Sequence, residues 1–161
     1  MKSSIKSIEL KYPDNHTPRI MENERARAIE DLCLEGCIRF CKNDAPPYTI
    51  ELSLFNNQIL FKVTDSLKHD LPHLLLSLSP YRSIIRDYFM MIESYERMRS
   101  EGHQSKLEPI DMARRGLHDE AATMMMERLK DKLEMDHATA RKLFTLVCAL
   151  HMDQARLWTP G

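Results

Sequence analysis

The chain has 161 residues, 43% of them apolar, with 23 Lys and Arg against 24 Asp and Glu. That length and composition suit one globular domain able to bury a sizeable core, and a formal charge of −1 supplies no overall field to gather nucleic acid or acidic lipid. The apolar stretches near Leu74 and Leu146 are broken by Ser, Thr or His within a few residues, far short of the ~20 needed to span a bilayer.

The charge is balanced locally as well: 10 basic and 11 acidic residues precede Pro80 and 13 of each follow from it, so neither half is a basic arm or an acidic tail. The opening MKSSIKSIELKYPDNH lacks the continuous apolar segment of a secretory signal. With Cys33, Cys37, Cys41 and Cys148 in a chain of this size, the core needs no disulfide framework. A cytoplasmic protein is expected.

From Ser4 to Lys11 apolar and polar residues alternate, which predicts a strand with one buried face. Between Met21 and Glu35 the residues Ala26, Ile29, Leu32 and Cys33 fall on one helical stripe, with Gly36 as the stop. Tyr48 to Leu54 and Gln58 to Thr64 flank Asn56-Asn57, a pair that tolerates the positive φ of a tight hairpin. Leu71 to Leu78 alternates again and supplies a further strand. Ser79-Pro80 is a helix start, Ser as a cap and Pro in the first turn; the stripe Ile84, Ile85, Tyr88, Phe89, Ile92 and Tyr95 follows, and Glu101-Gly102 closes it.

Ser105 and Glu108 have capping-box spacing and open a third helix past Pro109 toward Lys132, with Gly116 as a point of interruption. Asp136 caps a fourth, whose Ala140, Leu143, Phe144, Val147, Leu150 and Trp158 share a face. The order predicts an α+β fold: a small, mostly antiparallel sheet, one early helix and three C-terminal helices covering one sheet face. A single domain over 1–161 is expected, its strand and hairpin half ending near residue 79.

In CLEGCIRFC the three Cys recur every four residues, but Gly36 and the β-prone Ile38-Arg39-Phe40 end the helix between the first and the third. No fourth ligand is evident, so packed free thiols are preferred to a metal site. The segment DMARRGLHDE sets Arg114 and His118 among apolar neighbours, with Asp111 one turn from Arg115. A carboxylate, two guanidinium groups and an imidazole on one helix can orient an anion, or form an internal ion pair that fixes the helix register; the ion pair is preferred. The whole depends on the helix continuing through Gly116. His151 lies on the apolar face of the last helix and is expected to face His118 across a helical hairpin.

Arg82 and Arg86 sit near the amino end of the second helix, where backbone donors favour anions, although a solvated surface role is preferred. Glu93 and Arg97 have the spacing of a stabilising pair. Met124-Met125-Met126 is read as core filler. Neither a Gly-rich phosphate loop, a nucleophile elbow, an HExxH pair nor a CxxC pair occurs, and no cofactor or metal is expected.

The stretches ERARAIEDL, HLLLSLSPYRSIIRDYFMMIESY, IDMARRGLHDEAATMMMERL and DHATARKLFTLVCALH together resemble the uncharacterised protein family 0262 of alphaproteobacteria. The resemblance spans most of the chain, with RRGLHDE similar to a family pattern that usually reads RRGLHNE, so that Asp119 is the departure. It implies a small bacterial cytoplasmic protein and brings no mechanism. Its most distinctive motif falls on Arg114, Arg115, Gly116, Leu117, His118 and Glu120.

The preferred functional reading is a non-enzymatic interaction or regulatory protein with a protein partner, because amphipathic helices and a small sheet account for nearly every residue. The alternative is an enzyme or small-molecule binder that holds a phosphate or carboxylate on Arg114, Arg115 and His118, joined by Arg82 and Arg86. RNA contact through clustered Arg ranks last, and a homo-oligomer is compatible with all three.

Overall fold

A computed structural model of the chain describes the backbone of residues 3–11 and 19–158 and the side chains of 3–11 and 21–151; the face expected for Trp158 lies outside the described side chains. The elements are β1 (Ile5–Lys11), α1 (Arg19–Glu35), β2 (Ile38–Phe40), β3 (Tyr48–Phe55), β4 (Gln58–Thr64), β5 (Leu74–Ser77), α2 (Arg82–Ser100), α3 (Leu107–Leu129), β6 (Leu133–Met135) and α4 (His137–Trp158). Four strands form one sheet in the order β1-β3-β4-β5, and β2 and β6 pair separately. β3, β4 and β5 are the expected antiparallel meander. β1 joins β3 in parallel, because α1 returns the chain to the same end of the sheet.

The hairpin turn has Asn56 at φ 50° and Asn57 at φ 59°, directly between the paired residues Phe55 and Gln58. Short amide side chains bear the left-handed conformation that a two-residue turn requires. Across the sheet Leu10, Leu52, Phe61 and Leu74 stand in one row, and all four are buried. α4 packs over β1 and β3 and also against α1 and α3. Ala140, Leu143, Phe144, Leu146, Val147, Cys148, Ala149 and Leu150 are all buried, as befits a helix enclosed on several sides.

Gly36 ends α1 as expected, and the reason is crowding: a Cβ there would lie 2.4 Å from the Leu32 carbonyl oxygen and 2.7 Å from Ile5 Cδ1. Gly102, at φ +78°, closes α2 with His103 N–H donating to the Met98 carbonyl at 2.8 Å and Gly102 N–H to that of Arg99 at 3.2 Å, the paired bonds of a Schellman end. Asp136 caps α4, its Oδ1 accepting from Thr139 N–H at 2.9 Å.

Several local expectations are corrected. The buried stripe of α1 runs through Met21, Ala28 and Leu32, while Ala26 is exposed. Ser79-Pro80 forms a 3-10 turn with Tyr81 ahead of α2, and no side chain caps it. Nor does the Ser105–Glu108 pair cap α3, which begins after a second 3-10 turn at Gln104–Lys106. Toward the end of α2 Arg99 pairs with Glu96 at 2.7 Å rather than Arg97 with Glu93. Phe89 is half-buried against the core rather than enclosed. α3 stops at Leu129, and the residues that follow extend to pair with β2, Ile38 opposite Met135 and Phe40 opposite Leu133.

Candidate functional site

Gly116 does not interrupt α3, which is continuous from Leu107 to Leu129. The helical phase therefore holds, and Asp111, Arg114, Arg115 and His118 gather as their spacing requires. Arg114 binds two carboxylates at once: its Nη1 meets Glu24 Oε1 of α1 and its Nη2 meets Asp111 Oδ1 at 2.5 Å. Asp111 Oδ2 also takes Arg115 Nη2 at 3.2 Å. From α2, the Tyr88 hydroxyl donates to Glu24 Oε2 at 3.1 Å. The internal ion pair expected for Arg114 is thus present, with Glu24 as its distant partner.

Burial acts against the Arg114 charge, but Glu24, Tyr88 and Asp111 outweigh it and hold its pKa above the ordinary guanidinium value. The Tyr88 phenol is raised, by burial first and then by Cys148 and Glu24, so it stays protonated and keeps donating.

His118 is 9% exposed. Its ring lies against Tyr88, centroids 4.9 Å apart, and edge-on to Phe144 at 5.8 Å. Burial, then the charges of Arg114 and Arg141, push its pKa down to about 4, against the smaller opposing pull of Asp119 and Asp111. It is therefore neutral at pH 7, with one ring N–H and one lone pair. Its Nε2 is enclosed and has no hydrogen-bond partner.

Arg114, Arg115 and His118 form one wall of a cleft of about 570 Å³, with Asp111 outside its lining. α1 contributes Asn23, Glu24, Arg27, Ala28 and Asp31; α3 contributes Arg114, Arg115 and His118; α4 contributes Ala138, Arg141, Lys142 and Thr145. One ion pair ties each pair of helices around it. Arg114 joins α3 to Glu24 of α1, Lys142 Nζ joins α4 to Asp31 of α1 at 2.8 Å, and Arg141 Nε joins α4 to Asp119 of α3 at 3.3 Å. Arg27 has no ion pair among the described residues and is exposed.

Arg82, Arg86 and Glu120 stand apart from this cleft. Arg86 pairs with its neighbour Asp87 at 3.5 Å. Arg82 lies near His151, whose pKa is lowered by burial and then by that charge. The His151 ring lies beside Phe89, centroids 6.0 Å apart. Glu120 is exposed. The end of α1 at Glu35 separates Cys33 from Cys37 and Cys41, and the buried Cys148 thiol is raised by burial. Among the described residues no group of three His, Cys, Asp or Glu is placed to hold a metal ion, and no helix is long and apolar enough to cross a membrane.

Sequence reasoning missed Glu24, Arg27, Asp31, Arg141 and Lys142. A signal was present in α1, where Glu24, Arg27 and Asp31 recur at intervals of three and four and so share a face. What faced them was not legible.

Fold and cleft together define a small α+β protein with a polar pocket walled by three helices. The model of the uncharacterised protein family UPF0262 matches residues 3–153, and the chain belongs to that family. It is 45% identical over 145 residues to the UPF0262 protein of Brucella anthropi, covering 89% of this chain and 91% of that one. With the UPF0262 protein of Hyphomonas neptunium it is 41% identical over 140 residues, 87% and 85% of the two chains. With that of a Chelativorans species the identity is 39% over 151 residues, 93% and 94% of the two. No solved structure matches.

Proposed function

We propose that the protein is a cytoplasmic, non-enzymatic binder of a small anionic ligand, seated in the cleft between α1, α3 and α4. The observation that carries this reading is the convergence of Arg27, Arg114, Arg115, Arg141 and Lys142 from three helices on one concave site, against two lining carboxylates, Glu24 and Asp31. Cations set in a concave wall are shielded from water and hold an anion better than the same cations on a flat face. The internal ion pair preferred from the sequence and the anion site kept as its alternative are compatible: Arg114 is the structural member, and the cations around it face the ligand.

A protein-partner surface has less support. The large exposed apolar side chains Leu34, Phe55, Leu67, Leu75, Met90 and Met112 are spread over six segments of the chain. Thermal unfolding at constant ionic strength, with chloride replaced by phosphate, sulfate or citrate, tests the proposal. A saturable rise in Tm is expected. It is lost in the double variant Arg27→Gln, Arg141→Gln and kept in Arg82→Gln, Arg86→Gln. No saturable rise with any of the three anions overturns the reading.

A further inference from the structure

The main sheet has two edge strands, β1 and β5, and they differ in chemistry. β1 carries Lys6, Glu9 and Lys11 within its seven residues, charges of the kind that keep an edge from pairing with another chain. β5 reads Leu-Leu-Leu-Ser, and among the described residues no strand pairs with its far side. From Leu71 to Tyr81 the chain holds no Lys, Arg, Asp or Glu.

The ladder fixes which backbone groups face that open edge. Leu78 N–H donates to the Asn57 carbonyl at 3.0 Å, and in the same register Leu76 and Leu74 stand opposite Ile59 and Phe61. Bonded residues alternate along an antiparallel pair, so the N–H and C=O groups of Leu75 and Ser77 point away from β4. The hairpin agrees, because Phe55 and Gln58 close its two-residue turn; Gln58 and Leu60 therefore bond toward β3, which leaves Ile59 and Phe61 for β5.

Side chains add an apolar patch at the same corner. Leu75, 50% exposed, stands directly opposite Leu60. Phe55, 64% exposed, is diagonal to Leu60 across the β3–β4 pair, within reach of a long side chain. Two exposed apolar residues that lie far apart in sequence thus share one patch on the outer sheet face, and it runs to the open edge.

These features are self-complementary. With a second copy of β5 antiparallel about a two-fold axis at Leu76, Leu75 stands opposite the partner's Ser77 and Ser77 opposite the partner's Leu75. Both residues offer free N–H and C=O groups, so four backbone hydrogen bonds close. Leu75 then lies diagonal to the partner's Leu75, and the two apolar patches join in one stripe. No charge meets its like. The charged residues nearest in sequence are Asp70 and Arg82, six residues before Leu76 and six after it, and both are exposed; the same axis turns the acidic end of one strand toward the basic end of the other.

We propose that the protein forms a two-fold dimer through β5, which joins two four-stranded sheets into one of eight strands. The shared strand has four residues, about 13 Å of chain, and Pro72 stands just ahead of it. Pairing therefore ends with those four bonds, the contact is small, and the dimer is reversible.

Sedimentation velocity over a concentration series up to about 1 mM tests this, under reducing conditions because Cys37 and Cys41 are exposed. The mass is expected to rise to that of a dimer and no further. Leu75→Lys sets like charges diagonally across the axis and should weaken association by about tenfold or more. Leu34→Lys, at an exposed apolar side chain of α1, should leave it unchanged. Mixed with the Leu75→Glu variant, the Leu75→Lys variant should associate again, which a misfolded chain would not do. A protein that stays monomeric throughout leaves the edge to a strand of some other protein and overturns the proposal, as does a dimer indifferent to Leu75→Lys. Mass that grows past the dimer overturns the closed two-fold pairing. No rescue in the mixture, with both variants folded by circular dichroism, overturns the axis at Leu76.

Discussion

Among the described residues, a groove on the sheet and the helical cleft are lined by the same kinds of charged residue, and they behave differently. On the outer face of the sheet, Glu9, Lys11, Glu51 and Lys62 line a shallow groove of about 400 Å³. There Lys11 meets Glu9 at 3.5 Å and Glu51 at 3.6 Å, with its own side chain 54% exposed. Its partners are a near neighbour in sequence and a residue of the adjacent strand, and water competes for each of them. In the helical cleft Arg114 is 29% exposed and its partner Glu24 is 90 residues away. Exposed pairs contribute little because both charges are already well solvated. Partly buried pairs exchange solvation for mutual attraction, so removing one partner leaves the other poorly hydrated. The same kinds of charged residue therefore make a solvated face in one place and a helix tie in the other.

The largest effect that sharpens this contrast is on acid stability. Unfolded His118 takes up a proton near its ordinary value of 6.5, whereas the folded group resists until about 4. In that window the unfolded chain binds more protons, so stability is fully present above about pH 6.5 and falls as pH drops toward 4, by about 3 kcal/mol for this residue. His151, lowered in the same direction, adds to it. Urea unfolding from pH 7 to pH 4 should show the loss, and His118→Gln should flatten the slope; an unchanged slope would detach His118 from the buried wall.

Next in size is Arg114→Met, which leaves Glu24 and Asp111 facing each other without their cation. A loss of about 2 kcal/mol is expected, below the full value for a completely buried pair because Arg114 is partly wet. If urea melts show no more than about 0.5 kcal/mol, Arg114 belongs with the surface charges.

The smallest effect is a comparison of double-mutant cycles. Lys142 with Asp31 should couple by about 0.5–1 kcal/mol and persist in moderate salt. Lys11 with Glu51 should show no measurable coupling. Equal coupling would erase the distinction between the two grooves.

The sequence was most informative where a structure is fixed by neighbours. Asn56-Asn57, Asp136 and Gly102 each act within one turn of chain, and their chemistry specifies the turn, the cap and the helix end. It was less informative where two local solutions compete. Ser79 and Ser105 are good caps by type, yet short 3-10 turns occupy both sites and neither side chain caps a helix. Leu133–Met135 is too short to show a period, and it extends because Ile38–Phe40 needs a partner. The α3 portion of the cleft was legible because helical spacing alone gathers Asp111, Arg114, Arg115 and His118. Its other two walls were not: nothing local links Glu24 to Arg114 or Asp31 to Lys142.

That separation orders events during synthesis. Every strand of the main sheet has been made once Ser77 is added, but Asp31 waits 111 residues for Lys142. At roughly 5–20 residues per second the delay is about 6–22 s. Throughout it α1 has neither α4 to pack against nor Lys142 for Asp31, and the nascent chain carries a finished sheet beside an open helix. The cleft is complete only after α4 is released, so a ribosome stalled before Arg141 would display the sheet and no cleft.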